Sequence, residues 1–329
     1  MTILEMVQDV FEALGEPSDL EYRDIATLQP DTASAGWQRF VRVFNNAQTA
    51  IATWKFPEGT QLRFRALEDV ASFQTSRLQA SITPASPGVD DSFILSGSQL
   101  KSGTASYVGW LLEIPDASGK SLYRGRITTS TYNGGQYYIT LSPAPQHDLV
   151  APYPVVYLYT REYIFQNING MLPPFTGPII PYDGQYGTPL EILNVEDITN
   201  GTSIEYNSRH ESYIQSEPDV GVPGEYYKLA TGLRFNTWPE TGINYAVRYF
   251  RTPKPFGTDV DQVCELPVQF HQCVVLHALW WGYRRMQENT SAYSTKRDLD
   301  DMLRRLRTEF HLEGEMGRSQ WSIKIVPYK

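Results

Sequence analysis

Residues 245–286 read YAVRYFRTPKPFGTDVDQVCELPVQFHQCVVLHALWWGYRRM, and they predict where the β-structure of the chain ends and its second helical part begins. Over Tyr245–Phe250, the side chains of Tyr245, Val247 and Tyr249 alternate with those of Ala246, Arg248 and Phe250, which is the period of a half-buried strand. Pro253 and Pro255 end that strand, and Pro267 suits the first turn of a helix, where a missing N–H is tolerated. The sequence therefore predicts a strand, a loop and a helix in succession.

The predicted helix is apolar on more than one face. One face at helical spacing consists of Phe270, Cys273, Val274, His277, Ala278 and Trp281. Four further residues cover much of the remainder: Val275, Leu276, Leu279 and Trp280. Because the surface helix of a monomer keeps a polar half toward water, we expect these four to form an interface with a second copy of the chain. The alternative is that the β-rich part of the same chain covers Leu276 and Trp280.

The composition excludes several classes of protein. A chain of 329 residues suggests roughly two domains, and its formal charge of −9 argues against a protein that reads nucleic-acid sequence. The 21 Tyr, 24 Gly and 22 Pro are typical of β-structure with many turns. Two cysteines indicate neither a disulfide framework nor a metal cluster, and they suit a reducing compartment. Without a long apolar run or a signal sequence, we expect a soluble protein with no membrane partner.

Helices are predicted near both ends of the sequence. Thr2 and Glu5 form a capping box for the first helix, and an apolar stripe over Trp37–Trp54 predicts the second. Ser294 is the predicted cap of the last helix. The inner stripe of that last helix is Leu299, Leu303, Leu306 and Phe310.

Between these helices the patterns indicate strands, with Asn133-Gly134 as a hairpin turn and residues 171–190 as a long loop. The strands predicted before that loop are Leu62–Leu67, Tyr107–Ile114, Leu122–Thr131, Tyr137–Leu141 and Val155–Tyr159. Those predicted after it are Leu190–Val195, Ser203–Tyr206, Tyr226–Ala230, Leu233–Asn236 and Ile243–Phe250.

The predicted fold class is therefore α+β, with a helical bundle from the N- and C-terminal segments and a large β-rich insertion, a barrel or a sandwich. The predicted parts are 1–56 and 257–313 for the two halves of the helical core, 57–165 and 166–256 for the β-rich portions, and 314–329 for an extended tail.

Several segments, in this order, carry a resemblance to a known family. They are Thr2-Ile3-Leu4-Glu5, Phe44-Asn45-Asn46-Ala47-Gln48, Gly221-Val222-Pro223-Gly224-Glu225-Tyr226-Tyr227, Leu233-Arg234-Phe235 with Trp238-Pro239, Arg248-Tyr249-Phe250-Arg251-Thr252-Pro253, and Leu266-Pro267 before Phe270-His271. The chain resembles a head-to-tail adaptor, or connector, protein of tailed bacteriophages. Residues 107–159 also resemble a small β module of phage virion proteins.

The resemblance implies a structural protein of the virion without a cofactor. Such adaptors form a ring, usually twelve-fold, beneath the portal protein, extend the DNA channel, and present a platform to a tail or nozzle protein. Genomic DNA would pass through without sequence-specific binding. The implied location is the head-tail junction, or neck, after assembly in the host cytoplasm.

The end of the sequence predicts a strand that adds to a partner. Trp321, Ile323 and Ile325 alternate with polar residues, and Val326 and Tyr328 follow. Such a segment can add to a sheet edge of the portal protein, where main-chain hydrogen bonds hold it. Alternatively, it folds back onto the β-rich part of its own chain.

Three arginines make one side of the predicted last helix basic: Arg304, Arg305 and Arg307. They could contact acidic groups of the portal protein or DNA. The alternative is a solvated face in which neighbouring carboxylates balance their charge.

No catalytic, cofactor or metal site is predicted. His271 and His277 lie six residues apart, too far around a helix to share a metal ion, and none of the usual nucleophile or phosphate-binding motifs occurs. We therefore expect no enzyme. A second hypothesis is a carbohydrate- or receptor-binding module of the tail, because Tyr132–Tyr138 and Tyr182–Tyr186 are rich in tyrosine and aromatic faces stack on sugars.

Overall fold

The computed structural model describes residues 1–14, 31–59, 61–85, 92–100, 106–145, 153–169, 178–208 and 220–322, with side chains as far as Thr308. These residues form four α-helices and sixteen strands. The α+β class, with helices at both ends of the chain and large barrel-like sheets between them, is confirmed. Within the described ranges no helix is long and apolar enough to cross a membrane.

The chain forms two compact units. The helical unit comprises Met1–Glu68, Gln185–Leu190 and Arg251–Lys329, and the β unit comprises Asp69–Gly184 and Glu191–Phe250. The two ends of the chain therefore fold into one unit. The boundaries predicted from the sequence are not tested by this division and stay predictions.

The helices of the helical unit are α1 (Ile3–Leu14), α2 (Ala35–Ala52), α3 (His271–Arg285) and α4 (Asn289–Ser322). The predicted capping box begins α1, because the Thr2 N–H donates to Glu5 Oε2 at 2.8 Å and the Glu5 N–H donates to Thr2 Oγ1 at 3.2 Å. Ser34 caps α2 by accepting a 3.0 Å hydrogen bond from the Trp37 N–H. Side-chain chemistry at these two positions therefore fixes where α1 and α2 start.

The inner faces of these helices carry large apolar side chains. α3 contacts each of α1, α2 and α4, and the Phe11 and Phe40 rings meet edge to face with centroids 5.1 Å apart. The predicted stripe of α4 is buried at Leu299, Leu303 and Leu306, while the Phe310 side chain lies outside the described residues. Burial of each such side chain stabilises the fold by roughly 1.5–3 kcal/mol before entropy is counted.

Strands β1–β16 make up most of the β unit. They are β1 (Glu68–Gln74), β2 (Leu78–Pro84), β3 (Ser92–Ser96), β4 (Leu111–Pro115), β5 (Ser121–Asn133), β6 (Gln136–Ser142), β7 (Tyr153–Tyr159), β8 (Glu162–Asn167), β9 (Ile179–Tyr182), β10 (Pro189–Asp197), β11 (Thr202–Tyr206), β12 (Val220–Gly221), β13 (Glu225–Leu229), β14 (Gly232–Phe235), β15 (Trp238–Pro239) and β16 (Asn244–Arg251). Eight of them form a sheet in the order β1-β16-β10-β11-β13-β14-β8-β9.

Six strands close into a barrel in the order β2-β3-β6-β5-β4-β7. Closure leaves the barrel without a free edge, and alternate side chains point inward to fill it. Its interior holds buried aliphatic and aromatic residues, among them Ile82, Leu95, Ile114, Ile127 and Leu158. The predicted barrel-like insertion is thus present, although the barrel itself spans only β2 to β7.

The β5–β6 hairpin confirms the predicted turn with a shift of one residue. Asn133 pairs with Gln136, so Gly134 and Gly135 are the two central residues. Their φ angles are 58° and 87°, and a type I′ turn requires positive φ at both positions. Glycine adopts that conformation without steric cost.

The predicted strand Leu62–Leu67 is wrong. An isolated bridge joins Lys55 to Gln61 just before the segment, and the segment itself ends in a 3₁₀ turn over Arg65–Leu67. Leu62, Phe64 and Leu67 are buried. The alternation of apolar residues therefore reflects a segment that packs on one side without pairing with a strand. Strands β1 to β3 were not predicted from the sequence. The strand predicted from Tyr107 begins at Leu111, and β9 occupies part of the predicted loop 171–190.

Helix α4 is longer than predicted at both ends. It begins at Asn289, five residues before the predicted cap Ser294, and its backbone continues through Ser322. Residues 314–322 are therefore helical and not extended, because Gly314 and Gly317 cost only about 1 kcal/mol each within a helix of good helix formers. Residues 323–329 of the predicted tail lie outside the described residues.

Candidate functional site

Helix α2 holds the loop that leads into α3 through two amide side chains. Asn45 accepts from the Phe256 N–H at 2.7 Å and donates from Nδ2 to the Phe256 carbonyl at 3.1 Å. Gln48 donates to the Lys254 carbonyl at 2.9 Å. These bonds satisfy backbone groups of an irregular segment, so two polar residues on α2 position the start of the third helix.

An ion pair holds the same loop from the other side. Arg251 Nη1 lies 2.7 Å from Glu265 Oε2, and the Lys254 N–H donates to the same oxygen at 2.6 Å. His271, the first residue of α3, donates from Nε2 to the Leu266 carbonyl at 2.7 Å. The loop before α3 is therefore held by charge-assisted and backbone hydrogen bonds at several points.

The four residues predicted to face a second copy differ in burial. Val275 is 1% exposed and Leu279 is 6% exposed, so their own chain covers them. Leu276 and Trp280 are half-buried. The predicted interface stays a prediction, and its physical support now rests on Leu276 and Trp280.

Three large apolar side chains near the end of α3 and the start of α4 are exposed. Trp281 is 39% exposed, Met286 is 42% exposed and Tyr293 is 76% exposed. Together with Trp280 we call these residues the aromatic corner. Aromatic residues and methionine are enriched at interaction surfaces.

Cations hold the indole rings of the aromatic corner. The Arg285 guanidinium carbon lies 5.3 Å from the Trp281 ring centroid, and that of Arg284 lies 5.4 Å from the Trp280 centroid. Lys296 on α4 lies 5.8 Å from the Trp280 centroid and forms an ion pair with Asp300. These cation–π contacts give the corner positive charge as well as apolar area.

His277 lies one turn before the corner, and its ring centroid is 5.3 Å from that of Trp280. Burial lowers the pKa of His277 to about 4, and the nearby Lys296 charge acts in the same direction. The imidazole is therefore neutral at neutral pH, and it serves as a packing group beneath Trp280.

The three arginines predicted as contacts on α4 have different surroundings. Arg304 lies 4.0 Å from Asp301, with both side chains about two-thirds exposed. Arg305 is exposed and has no ion-pair partner among the described residues. Arg307 pairs with Glu58 and lies over the Phe56 ring at 4.7 Å. Arg307 therefore has a role inside the helical unit, and Arg304 and Arg305 are the accessible ones.

The predicted portal-docking segment is described only at its start. Trp321 belongs to the last turn of α4, and nothing is described for its side chain. Ile323, Ile325, Val326 and Tyr328 lie outside the described residues. Docking of this segment on the portal protein stays a prediction.

The tyrosine-rich hairpin proposed for sugar binding does not present one flat platform. Tyr132 and Tyr138 are each 39% exposed. However, Tyr132 pairs with Tyr137 while Tyr138 pairs with Thr131, so the two exposed rings lie on opposite faces of the hairpin. A sugar could therefore stack on one ring at a time.

No reactive centre is evident in the described ranges. Cys264 and Cys273 are both buried thiols, and burial raises their pKa values to about 11 and about 12, which disfavours the reactive thiolate. No group of three His, Cys, Asp or Glu side chains in these ranges is arranged to hold a metal ion. Comparison with protein-family models and with curated proteins finds no match to the chain.

Proposed function

We propose that this chain is a structural virion protein of a tailed bacteriophage, a head-to-tail adaptor that forms a ring beneath the portal protein. The ring would extend the DNA channel and offer an attachment platform to a tail or nozzle protein. The order of segments quoted from the sequence supports this function. The net charge of −9 also fits a channel that lets DNA pass without gripping it.

We further propose that the four helices form one bundle, which would be the wall of the ring. The helices of both chain ends belong to one compact unit, and α3 contacts the other three. The Tyr283 hydroxyl donates to the Ala13 carbonyl at 3.2 Å, which joins the ends of α3 and α1. A rigid wall element of this kind can carry an interface without changing shape.

The observation that carries the ring proposal is the aromatic corner. Trp281, Met286 and Tyr293 are exposed, whereas the α3 residues Val274, Val275 and Leu279 are buried by their own chain. Burying them against a neighbouring copy would remove apolar area from water at about 25 cal/mol per Å². A ring made by one face of each copy meeting a different face of the next is the closed form of such a contact.

The experiment is a mass measurement of the purified chain alone and mixed with the portal protein of its own virus. We expect a defined complex with portal that contains many copies of this chain. Absence of any complex over a range of concentrations would contradict the adaptor proposal. Glycan-array binding by the isolated chain would instead favour the carbohydrate-binding hypothesis.

A further inference from the structure

Arg161, between β7 and β8, is a buried cation without an acceptor. It is 4% exposed, and within the described part of the chain its guanidinium makes no hydrogen bond or ion pair. Its side chain lies against Trp238, with the guanidinium carbon 4.9 Å from the ring centroid. Burying a guanidinium costs several kcal/mol unless an anion or acceptor compensates it. The position is therefore incomplete with the residues described.

The charges around Arg161 are positive in excess. Burial lowers the pKa of Arg161 to about 10, and Arg234 and Arg126 act in the same direction by repulsion. Glu162 acts in the opposite direction, but its carboxylate is bound at 2.5 Å by Arg234. Two further guanidinium groups thus act on Arg161, and the carboxylate that opposes them is already bound by Arg234, which favours an anion beside Arg161.

Two side chains beside Arg161 have N–H groups that can donate hydrogen bonds to an anion. The Trp238 ring is buried, and its indole Nε1 is sealed from solvent without a partner among the described residues. Arg126 is half-buried on the outer face of the barrel, since its neighbour Ile127 points into the core, and it has no ion pair in the described ranges. The nitrogens of Arg161 are not among the sealed atoms, so the tip of the guanidinium remains reachable from solvent.

We propose that Arg161, together with Arg126, Arg234 and Trp238, forms a binding site for a compact oxyanion. Its oxygens would accept N–H groups from the guanidinium and the indole, and charge-assisted bonds of this kind are the strong ones. Only a small anion fits, because Arg161 is almost fully covered and a nucleic-acid backbone needs basic groups spread over an open surface. The site lies within the β unit and does not depend on ring formation.

The test uses the full chain and inorganic phosphate as the probe. Sodium chloride is replaced by sodium phosphate at constant ionic strength, and the thermal midpoint is followed by fluorimetry. With phosphate at ten times its dissociation constant, we expect a rise of about 3–6 °C. Arg161→Gln should abolish the rise and weaken phosphate binding in calorimetry at least tenfold.

Two further variants keep the outcome decisive. Arg126→Gln should reduce the rise even if Arg161→Gln folds poorly, whereas Arg248→Gln, which removes an exposed arginine of the same unit, should leave it unchanged. Acetate in place of phosphate distinguishes a carboxylate from a tetrahedral anion, and a rise with either supports the site. If neither anion shifts the wild-type midpoint, or if Arg161→Gln and Arg126→Gln respond like wild type, the site does not exist.

Discussion

The barrel encloses its large side chains inside a closed order of strands, whereas the helical unit leaves Trp281, Met286 and Tyr293 open at the turn between α3 and α4. The barrel satisfies both its backbone and its apolar surface by itself, because closure removes the edge strands. An exposed residue on it, such as Leu122, is ordinary surface. We therefore propose that the helical unit carries the contacts of assembly and that the barrel contributes stability.

The largest expected effect concerns the interior of the barrel. Leu158→Ala removes a fully buried side chain from β7 and should lower the free energy of unfolding by about 2–5 kcal/mol, because the closed wall cannot collapse into the cavity. Chemical denaturation of the full chain measures it. The matched change Leu122→Ala on the outside should stay within about 0.5 kcal/mol. Equal losses for the two variants would mean that the barrel is not a packed core.

A smaller loss of unfolding free energy is expected from substitutions where α2 holds the loop before α3. Asn45→Ala leaves the Phe256 N–H and carbonyl without partners and should cost about 1–3 kcal/mol. Asn45→Asp keeps the acceptor for the N–H and should recover part of that loss, and Asn46→Ala on the exposed side of α2 should be neutral. If Asn45→Ala behaves like Asn46→Ala in thermal unfolding, the loop is held by packing alone.

These two regions also show what local sequence patterns could predict. The capping box at Thr2, the α3 pattern and the Gly-rich hairpin turn depend on neighbouring residues, and all three are present in the structure. Strands β1 to β3 were not predicted because they are short, and pairing with distant partners, such as β2 with β7, decides their structure.

The candidate sites also depend partly on local sequence patterns and partly on contacts between distant segments. The apolar excess of α3 could be predicted from its sequence, but which of its residues are covered depends on the three helices that pack against it. The arginine cluster had no sequence signal, because Arg126, Arg161 and Arg234 come from separate strands and loops. From sequence alone, an arginine just before a strand is expected at the surface, and its burial is known only from the fold.

The pH dependence of the unfolding free energy tests whether the part of α3 around His277 is buried. The pKa of His277 is about 4 in the folded chain and near 6.5 when unfolded, so the unfolded state binds the extra proton between these values. Stability should therefore be complete above pH 6.5 and fall by at most about 2 kcal/mol at pH 5 on account of this residue. His277→Gln should remove that part of the slope in unfolding curves measured from pH 7 to pH 5. An unchanged slope would show that His277 is solvated.

The smallest effect on stability should belong to the aromatic corner, and it should be accompanied by the largest effect on assembly. Trp281→Ser removes a ring that is already 39% exposed and that lies 5.3 Å from the Arg285 guanidinium carbon, so the unfolding free energy should change by less than about 1 kcal/mol. If the corner meets a neighbouring copy, the same change should weaken the complex with portal at least tenfold, because buried tryptophans dominate interface energies. Val222→Ser, which removes an exposed apolar residue of the β unit, is the matched control and should assemble normally. A Trp281→Ser chain that assembles as well as this control would remove Trp281 from the interface and leave Leu276 and Trp280 as the remaining candidates.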